Sequence, residues 1–442
     1  MKDSLARQYN FPRLLLFAFP NIIMMIFLSI YTIVDGIFIS RYIGTTALSA
    51  VNMVYPVFTL EMAVGFMLAT GGSAVIAIRL GEKKEQEARE NFSLVILSEF
   101  IIGVVIAIVG NLFLEQLVWL LGTNEAQFPY CMEYGRVMIL FAPFLFLQTA
   151  FQTLFITAGK PTLGLAATVL GGVANMVLDY LFMGVLSTGI VGAAVATGIG
   201  YMIPAIIGLV YFGFCRKGSL HFVKPKWDGK MMLKSITNGT SEMLTHLSEG
   251  ISTFLFNWNF MRFYGEDGVA AITIVLYFQF VLVAIFFGYS MGVAPVIGYK
   301  YGAKDKKQLK KIHRSSIGFV GVCSVISYIL SEILIGPVTS VFTQTGSNVY
   351  QITLSGFWMF AISFLFMGIS IYASSLFTAL SDGMTSAVIS FARTILFLIA
   401  ALVFLPMIFG SDGVWFALPA AEFLGVLVAA VMLLKNRKKY GY

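Results

Sequence analysis

Four side chains with oxygen or amide groups stand inside long apolar runs of this sequence: Asp35, Asn175, Asp179 and Thr197. Asn175 and Asp179 are one helical turn apart, so on a helix they share a face. Two carboxylates, an amide and a hydroxyl offer only hard oxygen ligands, the set that small hard cations prefer. Two adjoining carboxylates also titrate as a pair rather than singly. Either property suits reversible uptake of Na⁺ or H⁺. Ionisable groups at membrane depth are costly and mark ion pathways by default. The bland alternative is a hydrogen-bonded network that bundles helices.

A second group of polar residues stands in the other half of the chain. Glu242, His246 and Glu249 recur at spacings of four and three and lie on one helical face, expected to line a cavity rather than meet lipid. One helix offers too few fixed ligands for a metal centre. Arg393 and Glu422 stand in later apolar runs, and Glu99 and Glu332 in others. Gln148, Gln152 and Thr153 would add polar groups to a cavity in the first half, and Glu61, Glu249 and Asn257 complete the candidate substrate-contacting set. Pro20 interrupts an apolar run and marks a bend, since proline removes one backbone donor and clashes with the preceding turn.

The elements that must position these residues follow from composition. Of 442 residues, 58% are hydrophobic and 12% charged, with mean hydropathy +0.86. Such a chain cannot make a charged exterior. Apolar runs reach the roughly 20 residues needed to cross a hydrocarbon core, and only helices or closed barrels satisfy their backbone there. The runs are apolar on all sides and longer than barrel strands, so helices are expected. Twelve spans are placed at 14–38, 47–77, 92–113, 132–157, 163–184, 188–213, 236–262, 268–298, 315–336, 350–379, 384–408 and 412–434. Spans 2, 8 and 10 exceed what a bilayer needs, so tilts or kinks are expected in them.

The charges test this count. With the N-terminus in the cytoplasm, 25 of the 29 Lys and Arg fall in inside segments, as the positive-inside rule requires. Both termini are then cytoplasmic and the chain is a multi-pass protein of the cytoplasmic (inner) membrane. The net charge of +7 is thus topology and contact with anionic membrane lipid rather than nucleic-acid binding. Three scattered cysteines form no framework. No phosphate-binding loop, His-Glu-x-x-His or Gly-x-Ser-x-Gly occurs, so neither an enzyme nor direct use of ATP is expected.

Shifting the chain by 221 residues superposes Arg41 and Gly44 on Arg262 and Gly265. Gly71, Gly81 and Lys83 fall on Gly292, Gly302 and Lys304, and Gly189, Gly192 and Ala196 on Gly410, Gly413 and Ala417. Each half holds six spans, so both enter the membrane in the same sense. The expected architecture is all-α, with two six-helix lobes related by a pseudo-two-fold axis along the membrane normal. The expected units are an N-terminal lobe at 1–214, a Lys-rich cytoplasmic linker at 215–234 and a C-terminal lobe at 235–442. A solute site between such lobes, exposed alternately to each side, describes a secondary transporter.

The residues also resemble the multidrug and toxic compound extrusion (MATE) family. The resemblance covers nearly the whole chain. It rests on Val34-Asp35-Gly36-Ile37-Phe38-Ile39-Ser40-Arg41-Tyr42-Ile43-Gly44, Arg79-Leu80-Gly81-Glu82-Lys83-Lys84 and Thr157-Ala158-Gly159-Lys160-Pro161. Asn175-Met176-Val177-Leu178-Asp179 and Gly189-Ile190-Val191-Gly192-Ala193-Ala194 complete it. The resemblance implies two lobes in a V, exchanging Na⁺ or H⁺ for small organic compounds, often cationic and aromatic. It places the cation site of prokaryotic members on Asp35, Asn175, Asp179 and Thr197 and the bending proline on Pro20. No cofactor beyond the coupling ion is implied, and a monomer is expected. Some members place an acidic site in the second lobe on spans 7 and 10; Glu249 matches the first position, but span 10 has no acidic residue. Rival readings are a major-facilitator transporter, a lipid-linked precursor flippase with a more cationic cavity, and a non-transporting membrane receptor. Gly81-Glu82-Lys83-Lys84-Glu85-Gln86 departs from the facilitator loop pattern.

Overall fold

A computed structural model describes residues 4–216 and 218–442. Among them every regular element is helical. In order the helices are α1 (Phe11–Tyr42), α2 (Thr45–Gly81), α3 (Glu85–Leu120), α4 (Phe128–Leu140), α5 (Ala142–Thr157), α6 (Pro161–Asp179), α7 (Gly189–Phe214) and α8 (Gly229–Gly302). There follow α9 (Lys306–Phe342), α10 (Asn348–Ala361), α11 (Phe364–Ala379), α12 (Gly383–Phe391), α13 (Leu398–Phe409) and α14 (Ser411–Tyr440). Single π-helical turns, Tyr180–Val185 and Ala392–Phe397, follow α6 and α12.

The surface places the bundle in lipid. Leu112, Leu120, Phe214 and Val341 are 69%, 83%, 85% and 80% exposed. Side chains of that kind spread over whole helices would be an aggregating surface in water. Among the described residues nine helices are long and apolar enough to cross a membrane, and α4–α5 and α10–α11 form two more crossings, bent by 54° and 51°. The twelfth comes from α8. Its 74 residues would reach about 110 Å, several times a hydrocarbon core. Gly265, at φ 68° and ψ −153°, breaks it into two crossings where spans 7 and 8 are expected to part.

The bends differ in part from the expectation. Spans 2 and 8 run unbroken, whereas span 4 bends and span 10 bends as expected. At the first bend Pro143 offers no backbone donor and disfavours helical geometry at Ala142. The gap closes with three-residue turns, Phe141 N to Met138 O at 3.0 Å and Phe144 N to Phe141 O at 2.9 Å. The second bend lacks a proline but closes alike, Ser363 N to Phe360 O and Phe366 N to Ser363 O, both 3.0 Å. Pro20, the expected bend of span 1, lies inside α1, which continues through it as one helix.

The repeat is written in the backbone. Left-handed residues recur 221 positions apart: Gly44 with Gly265, Lys83 with Lys304, and Gly189 with Gly410. The bends at 141 and 362 obey the same spacing.

The two halves meet closely at the end that carries both termini. There a side chain at Gly239 of α8 would strike the Met67 carbonyl of α2, and one at Gly71 the Ser235 carbonyl. Gly81 packs likewise on Tyr299, and Gly288 on Asn21 and Ile22 of α1. Asn21 Nδ2 donates to the Gly288 carbonyl at 2.6 Å. The N-terminal segment ties the halves further: Ser4 Oγ donates to Gly159 O at 3.2 Å, Lys300 Nζ to Ala6 O at 3.1 Å, and Tyr9 N to Gln308 Oε1 at 3.0 Å. The main buried cluster accordingly draws on both halves. At the far end, a separate cluster around Ile39, Val54, Leu114, Met138 and Met183 draws only on the first half. The halves therefore join at one end, and the first half is packed on its own at the other.

Candidate functional site

The first-half candidates converge. Asn175 and Asp179 are 1% and 0% exposed on one face of α6, and the π-helical turn begins directly after Asp179. Such turns widen a helix locally and recur at functional sites. Asn175 Nδ2 donates to Thr197 Oγ1 at 3.4 Å, and Thr197 Oγ1 donates to Ala193 O at 3.0 Å. Asp179 adjoins Asp35 of α1 and Asn175. Residues on α1, α6 and α7 thus face one point inside the first half.

Several acceptor oxygens at this point go unmet. Asp35 Oδ1, both Asp179 oxygens and Asn175 Oδ1 are buried with no hydrogen-bond partner among the described residues. Unsatisfied buried oxygens are costly, and a bound cation or proton supplies what they lack. The donor set suits a hard cation, because all of its members are oxygens and two are anionic.

Three tyrosines complete the surroundings and escaped the sequence reading. Tyr31, Tyr134 and Tyr201 lie around the Asp35–Asp179 pair, and Tyr134 adjoins Thr197. Tyr31 stands four residues before Asp35 and Tyr201 four after Thr197, so helical spacing alone could have found those two. Tyr134 comes from α4, which nothing local in the sequence brings here. A small cavity, with room for about one water, adjoins the site, lined by Tyr31, Gln148, Thr168, Asn175, Thr197 and Tyr201 among others.

The remaining candidates divide. Gln148 lines that cavity, its Oε1 unpartnered among the described residues. Gln152 turns to the Met25 sulfur, 3.7 Å away. Thr153 bonds back to the Thr149 carbonyl at 3.3 Å. Glu61 is 4% exposed in α2, with both oxygens unpartnered among the described residues, and lines neither this cavity nor the one described next. Asn257 is partly buried on α8, its Oδ1 unpartnered among the described residues.

Glu242, His246 and Glu249 stay neighbours on one face of α8 but meet different surroundings. Glu242 lines a second cavity, and His246 stacks on Phe66 of α2 with ring centroids 4.9 Å apart. Glu249 is 46% exposed, 3.6 Å from His246 Nδ1. None of the three joins the Asp35 cluster. The second half instead holds a buried ion pair, Arg393 to Glu422 at 3.3 Å.

A twelve-span helical bundle with an internal repeat and an oxygen-only site inside one half defines a polytopic membrane transporter rather than an enzyme. The MatE family pattern matches residues 20–181 and 243–403, one stretch in each half, and the chain belongs to that family of MATE transporters. It is 25% identical over 434 residues to the multidrug export protein MepA of Staphylococcus saprophyticus, covering 95% of this chain and 93% of that one. A crystal structure of MATE in complex with MaL6 superposes with a TM-score of 0.93 at 20% identity, over 100% of this chain and 98% of that one. The outward-facing conformation of a multidrug resistance MATE family transporter of the MOP superfamily superposes at 0.91 and 22%, again over 100% and 98%. These likenesses carry the fold, two six-helix lobes.

Proposed function

We propose that this protein is a secondary active exporter that exchanges Na⁺ or H⁺ for small organic compounds, often cationic and aromatic, by alternating access. The observation that carries this reading is the convergence of Asp35, Asp179, Asn175 and Thr197, with donor-poor buried oxygens, inside a lobe of a MATE bundle. The related MepA protein is a multidrug export protein, which favours a substrate class of drug-like compounds.

In this reading the first lobe spans 1–214 and takes up the coupling ion on those four residues. The linker is 215–234 and the second lobe 235–442. Both termini face the cytoplasm, where the basic residues gather, and the protein works as a monomer in the cell membrane, its surface against lipid. Closure at the terminus-bearing end then corresponds to a state open to the outside. Gln148 is the polar group best placed to meet solute or ion from the first-lobe cavity. Pro20 remains the candidate hinge: α1 runs through it as one helix here, and it lacks the backbone donor that would stiffen that turn.

The test is efflux of a fluorescent organic cation from cells expressing the wild type, Asp35→Asn and Asp179→Asn at matched levels, with Na⁺ and proton gradients imposed separately. Efflux by the wild type alone is expected, and the driving gradient names the ion. Equal efflux by both variants overturns the first-lobe site.

A further inference from the structure

The outer surface of the second lobe carries a charge pattern that the exporter reading leaves unused. Helix α9 begins at the end that bears both termini, where Tyr9 N donates to Gln308 Oε1. Its first turns, 306–314, hold Lys306, Lys307, Lys310, Lys311 and Arg314 and no carboxylate. All five are exposed, and none makes an ion pair among the described residues. Lys307, Lys311, Arg314, Gly318, Val322 and Val325 recur at spacings of four and three, so they share one helical face, and every one of them is exposed. Val322 and Val325 are 59% and 50% exposed, and a side chain at Gly318 would meet nothing within 4 Å. One face of one helix thus runs from cations straight onto an open apolar strip.

The repeat shows that the fold does not require these cations. The positions 221 residues earlier, 85–93, hold Glu85, Glu87, Arg89 and Glu90, and Arg89 is neutralised by Glu85 at 2.8 Å. The counterparts of Lys307, Lys311 and Arg314 are Gln86, Glu90 and Ser93. These are engaged within the first lobe and its linker: Gln86 Nε2 donates to Glu90 Oε1 at 2.9 Å, and Ser93 Oγ accepts from Val223 N at 3.0 Å. Gly318 answers to Leu97. Membrane orientation asks only for basic residues somewhere on this side, and the linker 215–234 already holds six. The unpaired cations of α9 are therefore a feature of this corner of the second lobe and not of the architecture.

A partner for this face needs an anionic head and an apolar tail in line. A soluble anion would use the cations and leave the strip uncovered, and a zwitterionic lipid would cover the strip but bring its own cation against three others. From Arg314 to Val325 the helix rises about 16 Å, about the depth of one leaflet's hydrocarbon. Lysine and arginine stems lie along apolar surface and lift their heads to the interface. We propose that this face of α9 is a binding site for an anionic phospholipid of the leaflet at the terminus-bearing end. Its phosphate sits among Lys307, Lys311 and Arg314, and an acyl chain lies along Gly318, Val322 and Val325. Such a site holds one lipid at one place, unlike the diffuse attraction of a basic protein to a charged leaflet. It requires the bundle to stand in lipid and depends neither on the coupling ion nor on the exporter reading.

The test is native mass spectrometry of the purified full chain released from detergent, with dioleoyl phosphatidylglycerol or dioleoyl phosphatidylcholine added at equal concentration. Phosphatidylglycerol is expected to bind about tenfold or more tightly, since each Lys or Arg beside an anionic headgroup is worth about fivefold. The triple variant Lys307→Gln, Lys311→Gln and Arg314→Gln should bring it down to the level of phosphatidylcholine. A triple variant of the exposed linker, Lys224→Gln, Lys226→Gln and Lys230→Gln, removes the same charge and should keep the preference. Gly318→Leu, which installs the residue of the first lobe, should weaken phosphatidylglycerol severalfold with all the cations in place. All the substituted side chains are exposed, and an unchanged charge-state distribution verifies that each variant is folded. Equal binding of the two lipids by the wild type overturns the proposal. Equal loss of preference in both triple variants also overturns it, because net charge would then suffice. Displacement of phosphatidylglycerol by excess glycerol 3-phosphate would assign the cations to a soluble phosphate and overturn the lipid as occupant. None of these outcomes touches the exporter reading, which stands or falls on the dependence of efflux on Asp35 and Asp179.

Discussion

Gly239 of α8 lies directly on the Met67 carbonyl of α2, so close that no side chain fits between them. This crossing joins the two lobes at the end that bears both termini. Overpacking such a contact costs about 1–3 kcal/mol, and the strain is relieved if the lobes part. Gly239→Val should therefore shift the protein away from the state seen here. The expected result is faster labelling of a cysteine placed at Ser235 by a water-soluble maleimide, together with slower efflux. Unchanged labelling would mean that the crossing yields locally and the lobes stay joined.

The Thr197 hydroxyl accepts from Asn175 and thereby holds that amide beside Asp179. Thr197→Val keeps the shape and removes the acceptor. A lost hydrogen bond of this kind is worth about 1 kcal/mol, so the concentration of coupling ion needed for half-maximal efflux should rise roughly fivefold. The maximal rate should change less. A change in maximal rate alone would place Thr197 in the conformational step rather than in ion binding.

Arg393 and Glu422 are buried together, with side chains 8% and 6% exposed. Breaking such a pair on one side is costlier than removing both members, because it strands a charge. Arg393→Met alone should destabilise by about 3–5 kcal/mol, and adding Glu422→Gln should restore most of that. Thermal unfolding of the three proteins in one detergent checks it. A double variant no more stable than the single one would show that the pair does not act as a unit.

The C-terminal segment is tied down by Asp382, which lies outside the spans between α11 and α12. Burial alone would raise its carboxyl, but the Tyr440 hydroxyl at 2.6 Å, the Thr385 amide and hydroxyl, and Lys439 at 3.5 Å together hold it below its usual 3.8. A depressed folded-state value means that this tie is in full force above pH about 3.8 and fades as the pH falls through the lower folded value. Proteolytic release of the C-terminus should consequently rise below about pH 4 in the wild type. In Asp382→Asn it should already be high at neutral pH and change little with acid. A flat profile in both proteins would remove Asp382 from the anchoring of the tail.

The membrane architecture was legible because it depends on run length and charge, which are local. Twelve apolar runs, the basic loops and the 221-residue spacing all stand in the sequence, and the left-handed pairs Gly44–Gly265 and Gly189–Gly410 show why the spacing recurs: each marks the same turn in each lobe. The carboxylates of the first lobe were legible for a related reason. An ionised group in an apolar run is conspicuous wherever the helix goes, and Asn175 and Asp179 share a face by helical period alone.

What the tertiary structure decided concerns which helices become neighbours. That α4 brings Tyr134 to Thr197 and that Arg393 meets Glu422 across 29 residues depend on packing angles and on two π-helical turns. No single-residue signal encodes these. The span 10 bend has no proline to announce it, whereas the helical assignment runs on through Pro20. Helical period fixes what one helix presents along its own length; only the crossing of helices, set by small residues such as Gly71 and Gly239, determines what those faces meet.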